Sequence, residues 1–212
     1  EMASLGAKVL QTRSVELAMA YKVKLRVLSS FEPPDSPTSG TTICDEDDIV
    51  EKQIVSAITL SKDEAKISLL SVPDEPGRAA AIFGLLADAG INVDMIVQSP
   101  SRQAGANISF TMAESELARA VDALTLAKDK IGYVQMQSDH NVVKVSVIGV
   151  GMRSHTGVAS TMFKALGEKG INIQNISTSE IKISVLIASD YGELAVRTLH
   201  QAYGLDRAQG AA

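Results

Sequence analysis

Lys66-Ile-Ser-Leu-Leu-Ser-Val72 returns as Lys144-Val-Ser-Val-Ile-Gly-Val150, an offset of 78 residues. Gly77, Phe83, Leu86, Gly90, Ile91 and Asn92 return as Gly157, Phe163, Leu166, Gly170, Ile171 and Asn172, an offset of 80. The two-residue change falls in a strand-to-helix loop, where an insertion is cheapest. Two copies are too few for a solenoid, so a pair of small, similar domains is expected. Within each copy the period switches in order. Residues 66–72 alternate as a strand. Ala79, Ile82, Phe83 and Leu86 then fall on one helical stripe, which Ala159, Met162, Phe163 and Leu166 repeat. Pro76 suits the first helical turn and Gly90 the helix stop. Strands are expected over 91–98 and 107–112, and again over 171–177 and 181–187. A helix closes each copy, over 114–128 and 191–203.

This order, β-α-β-β-α, is one strand short of the ferredoxin-like β-α-β-β-α-β unit, which makes the chain α+β. Candidate missing strands precede each copy. Residues 54–60 run into the first copy through Ser61-Lys62-Asp63-Glu64, and residues 133–138 into the second through Asp139-His140-Asn141. Two arrangements satisfy the pattern. Strand 54–60 pairs hairpin-fashion beside its own opening strand, or it completes the second copy and the two domains interleave.

Before the repeats, residues 1–30 read as a helix followed by a short alternating strand. Residues 31–48 gather Pro33, Pro34, Pro37, Gly40 and four consecutive acids, the composition of a linker or long loop. The start at Glu1, inside a helical pattern, suggests a piece of a longer polypeptide. The expected divisions are 1–45, 46–130, 131–204 and a flexible tail at 205–212.

The 212 residues carry 20 Lys+Arg against 25 Asp+Glu, a net charge of −5, with 4% aromatics and no Trp. A nucleic-acid binder would be basic and would carry strand aromatics, so that class is excluded. No apolar run approaches the roughly 20 residues that span a bilayer, and a cytoplasmic location is expected. Cys44 is the single cysteine, which removes internal disulfides and cysteine-based metal motifs. The acids at 45–48 have no partnering His, and His140, His155 and His200 are scattered, so no metal site and no catalytic residue is expected.

Gly149-Val-Gly-Met-Arg-Ser154 invites a dinucleotide reading, but Ser154 stands where the third glycine belongs and a β-β-α unit follows it. More informative are the equivalent turns Asp74-Glu-Pro-Gly77 and Ser154-His-Thr-Gly157. Helix starts expose free N–H groups and a positive dipole end that suit a carboxylate, and glycine lets a ligand approach the backbone. Asp74 and Ser154 also suit plain helix capping. The polar strand ends Asn92, Asp94, Gln98, Ser177, Thr178, Ser179 and Glu180 favour the ligand reading. A small zwitterion would set its carboxylate at a helix start and its ammonium against Asp74 or a strand carbonyl.

Gly90-Ile-Asn-Val-Asp-Met-Ile-Val-Gln98, Ser177-Thr-Ser-Glu-Ile-Lys-Ile-Ser-Val-Leu-Ile187 and Gly151-Met-Arg-Ser-His-Thr-Gly-Val158 resemble the tandem ACT regulatory region of bacterial aspartate kinases. Glu1-Met-Ala-Ser-Leu-Gly-Ala-Lys-Val-Leu10 resembles the end of that family's kinase domain. The resemblance implies two ferredoxin-like ACT domains behind a helix-strand remnant of an amino-acid kinase domain. It implies a parent enzyme that phosphorylates the side-chain carboxylate of aspartate with Mg-ATP, on the route to lysine, threonine, methionine and diaminopimelate. The segment itself would hold no cofactor and would not be catalytic, with Lys8 alone near the nucleotide.

Dimerisation through the ACT domains is also implied, with feedback by threonine and lysine. A threonine-type site would use Asp74, Gly77, Ala79, Asn92 and Gln98, with Asn172 and Ile173 from the facing chain. A lysine-type site would use Asp94, Val158, Ala159, Thr178, Ser179 and Glu180. Family members commonly show Asn-Val-Ser after the glutamine and Thr-Thr-Asp before the next strand; this chain has Ser99-Pro100-Ser101 and Gly105-Ala106-Asn107. The other class of function considered is a free-standing tandem-ACT sensor that controls a different protein, a role for which the Gly-Ala-Lys-Val-Leu stretch has no purpose.

Overall fold

The computed structural model describes residues 2–5, 9–33, 40–44, 54–102, 105–153 and 155–206. Lys8, Ser154 and the acidic run at 45–48 lie outside them. The chain opens with helix α1 (Thr12–Ala20) and strands β1 (Leu25–Val27) and β2 (Thr41–Ile43), which pair antiparallel. The β2 strand falls inside the stretch expected to be linker. Its β-branched Thr41, Thr42 and Ile43 find partners in Val27, Arg26 and Leu25, and three residues form a ladder without needing any long periodicity. Leu17, Met19 and Tyr21 stand exposed on and just after α1.

The rest is two similar units built around one long pair of strands. The first contains α2 (Arg78–Asp88), β4 (Ile96–Pro100), β5 (Ala106–Met112), α3 (Leu117–Leu126) and α4 (Lys128–Ile131). The second contains α5 (Val158–Glu168), β7 (Ile173–Thr178), β8 (Lys182–Ala188) and α6 (Gly192–Ala202). Strands β3 (Ala57–Val72) and β6 (Gln135–Ile148) run through both. Among the described residues these six strands form one antiparallel sheet in the order β4-β5-β3-β6-β8-β7.

The register decides between the two arrangements left open above. Ala57 to Ser61 pair with Ile148 to Lys144, in the second copy, and Lys66 to Leu70 pair with Asp139 to Gln135, ahead of it. Each copy is thus completed by the strand that precedes the other, and the domains interleave. The polar stretches expected as connections, 61–64 and 139–141, are strand. They carry the irregularities of the pair: β3 has one extra residue between Ser61 and Glu64, and β6 has one between Asp139 and Val142. Bulges re-aim side chains without ending a strand. A cut at residue 130 would leave each half without one of its strands.

Side chains follow the same exchange. Ile67, Leu69, Ile82, Leu86, Ile108, Phe110, Met112 and Leu124 form one core, and Met136 of β6 packs against it. Val143, Val145, Val147, Met162, Leu166, Ile183, Val185 and Leu199 form the other, against which Ile58 and Leu60 of β3 pack. The helical stripes expected from sequence supply both cores. The start of α2 differs from expectation. Gly77, at φ 91°, is its N-cap, and this left-handed residue keeps Pro76 outside the first turn. At its other end Gly90, at φ 67°, follows the C-cap as expected.

The sheet bends where β3 and β6 are bulged, so that its edge strands β4 and β7 come into contact. The helix-free faces of the two halves therefore oppose each other, and they are polar. Ser68 and Ser109 share a hydrogen bond of 2.8 Å across one half, and Ser146 and Ser184 one of 2.7 Å across the other. All strand pairs in the sheet are antiparallel, which excludes the parallel β-α-β unit of a dinucleotide fold. Among the described residues no helix is long and apolar enough to cross a membrane.

Candidate functional site

Each copy presents one helix start at the end of its central strand. Gly77 caps α2 and Gly157 caps α5, at φ 91° and 93°, and glycine brings no side chain to bond the helix start. A Cβ placed on either glycine would meet nothing within 4 Å. In the first turn of α2 the Arg78 N–H donates to the Glu75 carbonyl at 3.3 Å, while the space over both glycines is open. Asp74, considered as a cap from sequence, does not cap α2.

Around α2 the structure brings together Asp74, Gly77 and Ala79, all exposed. Gln98 on β4 approaches the same end, in register with Ile108 and Leu69. Asn92 belongs to the opposite end of α2, roughly 16 Å away at 1.5 Å per residue, where its N–H donates to Glu116 Oε2 at 3.3 Å. Arg78 fixes the helix start by donating to the Lys130 carbonyl at 2.8 Å and pairing with Glu75 at 2.8 Å. In the second copy, Val158 and Ala159 open α5 and Thr178 ends β7. Ser179 N–H donates to the Lys182 carbonyl at 2.8 Å, closing the turn that carries Glu180 at that same end. Asn172 and Ile173 hold the place equivalent to Asn92 and Val93, with Ile173 opposite Ile187.

Asp94 lies apart from the lysine-type group, bonded to the Lys144 ammonium. Lys144 also meets Glu64 at 2.5 Å, and the side chains of Lys144 and Glu64 are only 7% and 5% exposed, against 50% for Asp94. Lys66 in turn donates to Gln174. These contacts are one device used twice. Lys66 and Lys144 are equivalent in the repeat, as are Asp94 and Gln174, and each lysine reaches the other copy. One bridge is ionic and the other ends on a neutral amide. None of these four residues but Asp94 stood out as a candidate in the sequence. The signal was the lysine that opens both copies of the repeated strand, on a face with no need for charge unless a partner faces it.

Burial works against the Lys144 ammonium, but its hydrogen bonds and charge attraction to Asp94 and Glu64 outweigh it, so Lys144 titrates above its ordinary value. Tyr203, whose O–H donates to the Val158 carbonyl at 2.8 Å, is pushed up to about 12, chiefly by burial. Both groups hold their protons more tightly folded than unfolded. Their contribution is present below the unfolded values, roughly 10 for Tyr, and is lost as pH rises through the folded ones. Urea midpoints are expected to fall between about pH 10 and 12, and the fall should be shallower in Tyr203→Phe. An identical slope in that variant would exclude Tyr203 as a contributor.

Two ACT-domain family models match the chain, one over residues 67–125 and one over 145–203. The aspartokinase of Pseudomonas aeruginosa is 49% identical over 206 residues, covering 97% of this chain and 50% of that protein. The aspartokinase of Helicobacter pylori is 50% identical over 214 residues, covering 98% and 51%. The ligand-free regulatory subunit of aspartate kinase from Thermus thermophilus superposes with a TM-score of 0.67 at 38% identity, covering 71% of this chain and 99% of that one. The interleaved β-α-β-β-α units with open helix starts therefore form a tandem ACT module. The chain belongs to the aspartokinase family and corresponds to its regulatory region. It spans about half the length of the curated relatives it matches.

Proposed function

We propose that this region senses end-product amino acids, threonine, lysine or both, and feeds back on a parent enzyme that phosphorylates L-aspartate on its side-chain carboxylate. The observation that carries the reading is the pair of glycine-capped helix starts at Gly77 and Gly157, where the space over each glycine is open and exposed polar or acidic residues stand beside it. An α-carboxylate suits the N–H groups and dipole there, and Asp74 at one end and Glu180 at the other suit an ammonium or hydroxyl. Mg-ATP belongs, in this reading, to the kinase portion of the parent, and the apolar residues exposed on α1 face that portion. The module works in the cytoplasm as a homodimer in which the facing chain supplies Asn172 and Ile173 to the threonine-type group. An effector shared by two chains biases the dimer through its differential affinity for the two arrangements.

Calorimetric titration with threonine and lysine, singly and together, tests this. Binding should raise the melting temperature, with a stabilisation of about 2.7 kcal/mol at a hundredfold excess over Kd. If Asp74 holds the effector, Asp74→Ala removes a charge-assisted bond worth ~1.5–3 kcal/mol and weakens threonine binding by roughly one to two orders of magnitude. Unchanged affinity would remove Asp74 from the site, and flat titrations with both amino acids would sink the effector reading.

A further inference from the structure

We propose that Asn107 is a positioning residue for the α2 end of the effector site, a proposal that rests on the reading just given. The end of β3 carries a bulge. Leu69 pairs with Ile108 and Val72 with Ala106, so Leu70 and Ser71 together oppose Asn107 alone. Ser71 sits at φ 53°, in the left-handed region where a bulge ordinarily places glycine. A side chain there costs energy, and the conformation persists only where its surroundings hold it. Here the holding contacts are visible. Ser71 N–H donates to Asn107 Oδ1 at 3.1 Å, and the Ser71 and Ser101 hydroxyls share a hydrogen bond of 2.8 Å.

Gly105, just before β5, is pressed onto the same strand end. A Cβ on Gly105 would stand 2.1 Å from the Val72 carbonyl oxygen. From Ser71 only five residues lead to Gly77, and they include Asp74. Their path is taut, with Glu75 N–H donating to the Pro73 carbonyl at 3.1 Å and Arg78 N–H to the Glu75 carbonyl at 3.3 Å. The backbone angle at Ser71 thus sets the direction in which Asp74 and the start of α2 leave the sheet, and Asn107 sets that angle. The second copy has no counterpart to this device, because its equivalent residue is Gly149.

Replacing Asn107 by Ala frees Ser71 to relax toward extended backbone, while Ser71→Gly makes the left-handed angle inexpensive without help. The test uses the full 212-residue chain and four forms: unaltered, Asn107→Ala, Ser71→Gly and the double variant. Threonine affinity should fall about tenfold in Asn107→Ala and return in the double variant to within a few-fold of the unaltered chain. Lysine affinity, read at the α5 end, should stay unchanged. Without ligand, amide exchange over residues 72–80 should quicken in Asn107→Ala and slow again in the double variant. Unaltered exchange in Asn107→Ala overturns the proposal. So does a loss that Ser71→Gly fails to rescue, or one that lysine binding shares. If the unaltered chain gives no heat with threonine, the effector reading fails, and the exchange measurement still decides the role of Asn107.

Discussion

Lys144→Met is expected to destabilise the fold by about 3–5 kcal/mol, the usual cost of removing one partner from a buried ion pair. The cost arises at Glu64. Asp94 is half exposed and water can take over its carboxylate, whereas Glu64, 5% exposed, is left with a bare charge beneath the sheet. The remedy follows from the same cause. Adding Glu64→Gln to Lys144→Met leaves a neutral amide in place of the charge and should recover much of the loss. Lys66→Met, which deprives only the neutral amide of Gln174, should cost about 1 kcal/mol. Urea denaturation of the four forms reads these differences. A Lys144→Met midpoint matching that of Lys66→Met would mean that the ionic bridge contributes no more than the neutral one.

The second large effect concerns Phe110, fully buried in the first core and packed edge-on against Phe83 with ring centroids 5.4 Å apart. Phe110→Ala should cost about 3–5 kcal/mol from lost burial and the cavity left behind. What distinguishes this fold is where that loss appears. Ile58 and Leu60 serve the second core from a strand whose other end serves the first, and Met136 does the reverse. Destabilising one core therefore loosens the strands on which the other is built, and unfolding should remain a single transition. Amides of β8, remote from Phe110, are expected to lose protection together with those of β5. Two separated melting steps, with β8 protection intact in the first, would show the halves to be independent.

The elements legible in the sequence are those whose pattern is local. The stripe at Ala79, Ile82, Phe83 and Leu86 and the stop at Gly90 needed only helical periodicity, and the repeat supplied the second copy. Strand continuity was not legible at 61–64, because the polar side chains there each have a distant use. Lys62 pairs with Glu193 at 2.7 Å, Asp63 accepts the Glu114 N–H at 2.9 Å, and Glu64 turns inward to Lys144. Strand β4 begins at Ile96 rather than at residue 91 for a related reason. Residues 91–95 alternate like a strand, yet Asn92 N–H turns to Glu116 and Asp94 to Lys144, and regular pairing begins only at Ile96. At the candidate site, Asp74, Gly77 and Ala79 were legible as neighbours because they are close in sequence. The partnership of Asp94 with Lys144 was not, since the two stand fifty residues apart and meet only when the sheet bends.

The exchange of strands between the copies also fixes an order of events during synthesis. Residues 65–139 contain all that the first copy needs, so it can close as soon as β6 begins to emerge from the ribosome. Residues 57–61 pair soon afterwards with residues 144–148, but the core that covers Ile58 and Leu60 is complete only once Leu199 has followed. For that interval Ile58 and Leu60 are an uncovered apolar face on a nascent chain, the kind of surface that recruits chaperones or pairs with the wrong neighbour. Slow translation through residues 144–199 lengthens the exposure, and rapid translation there shortens it.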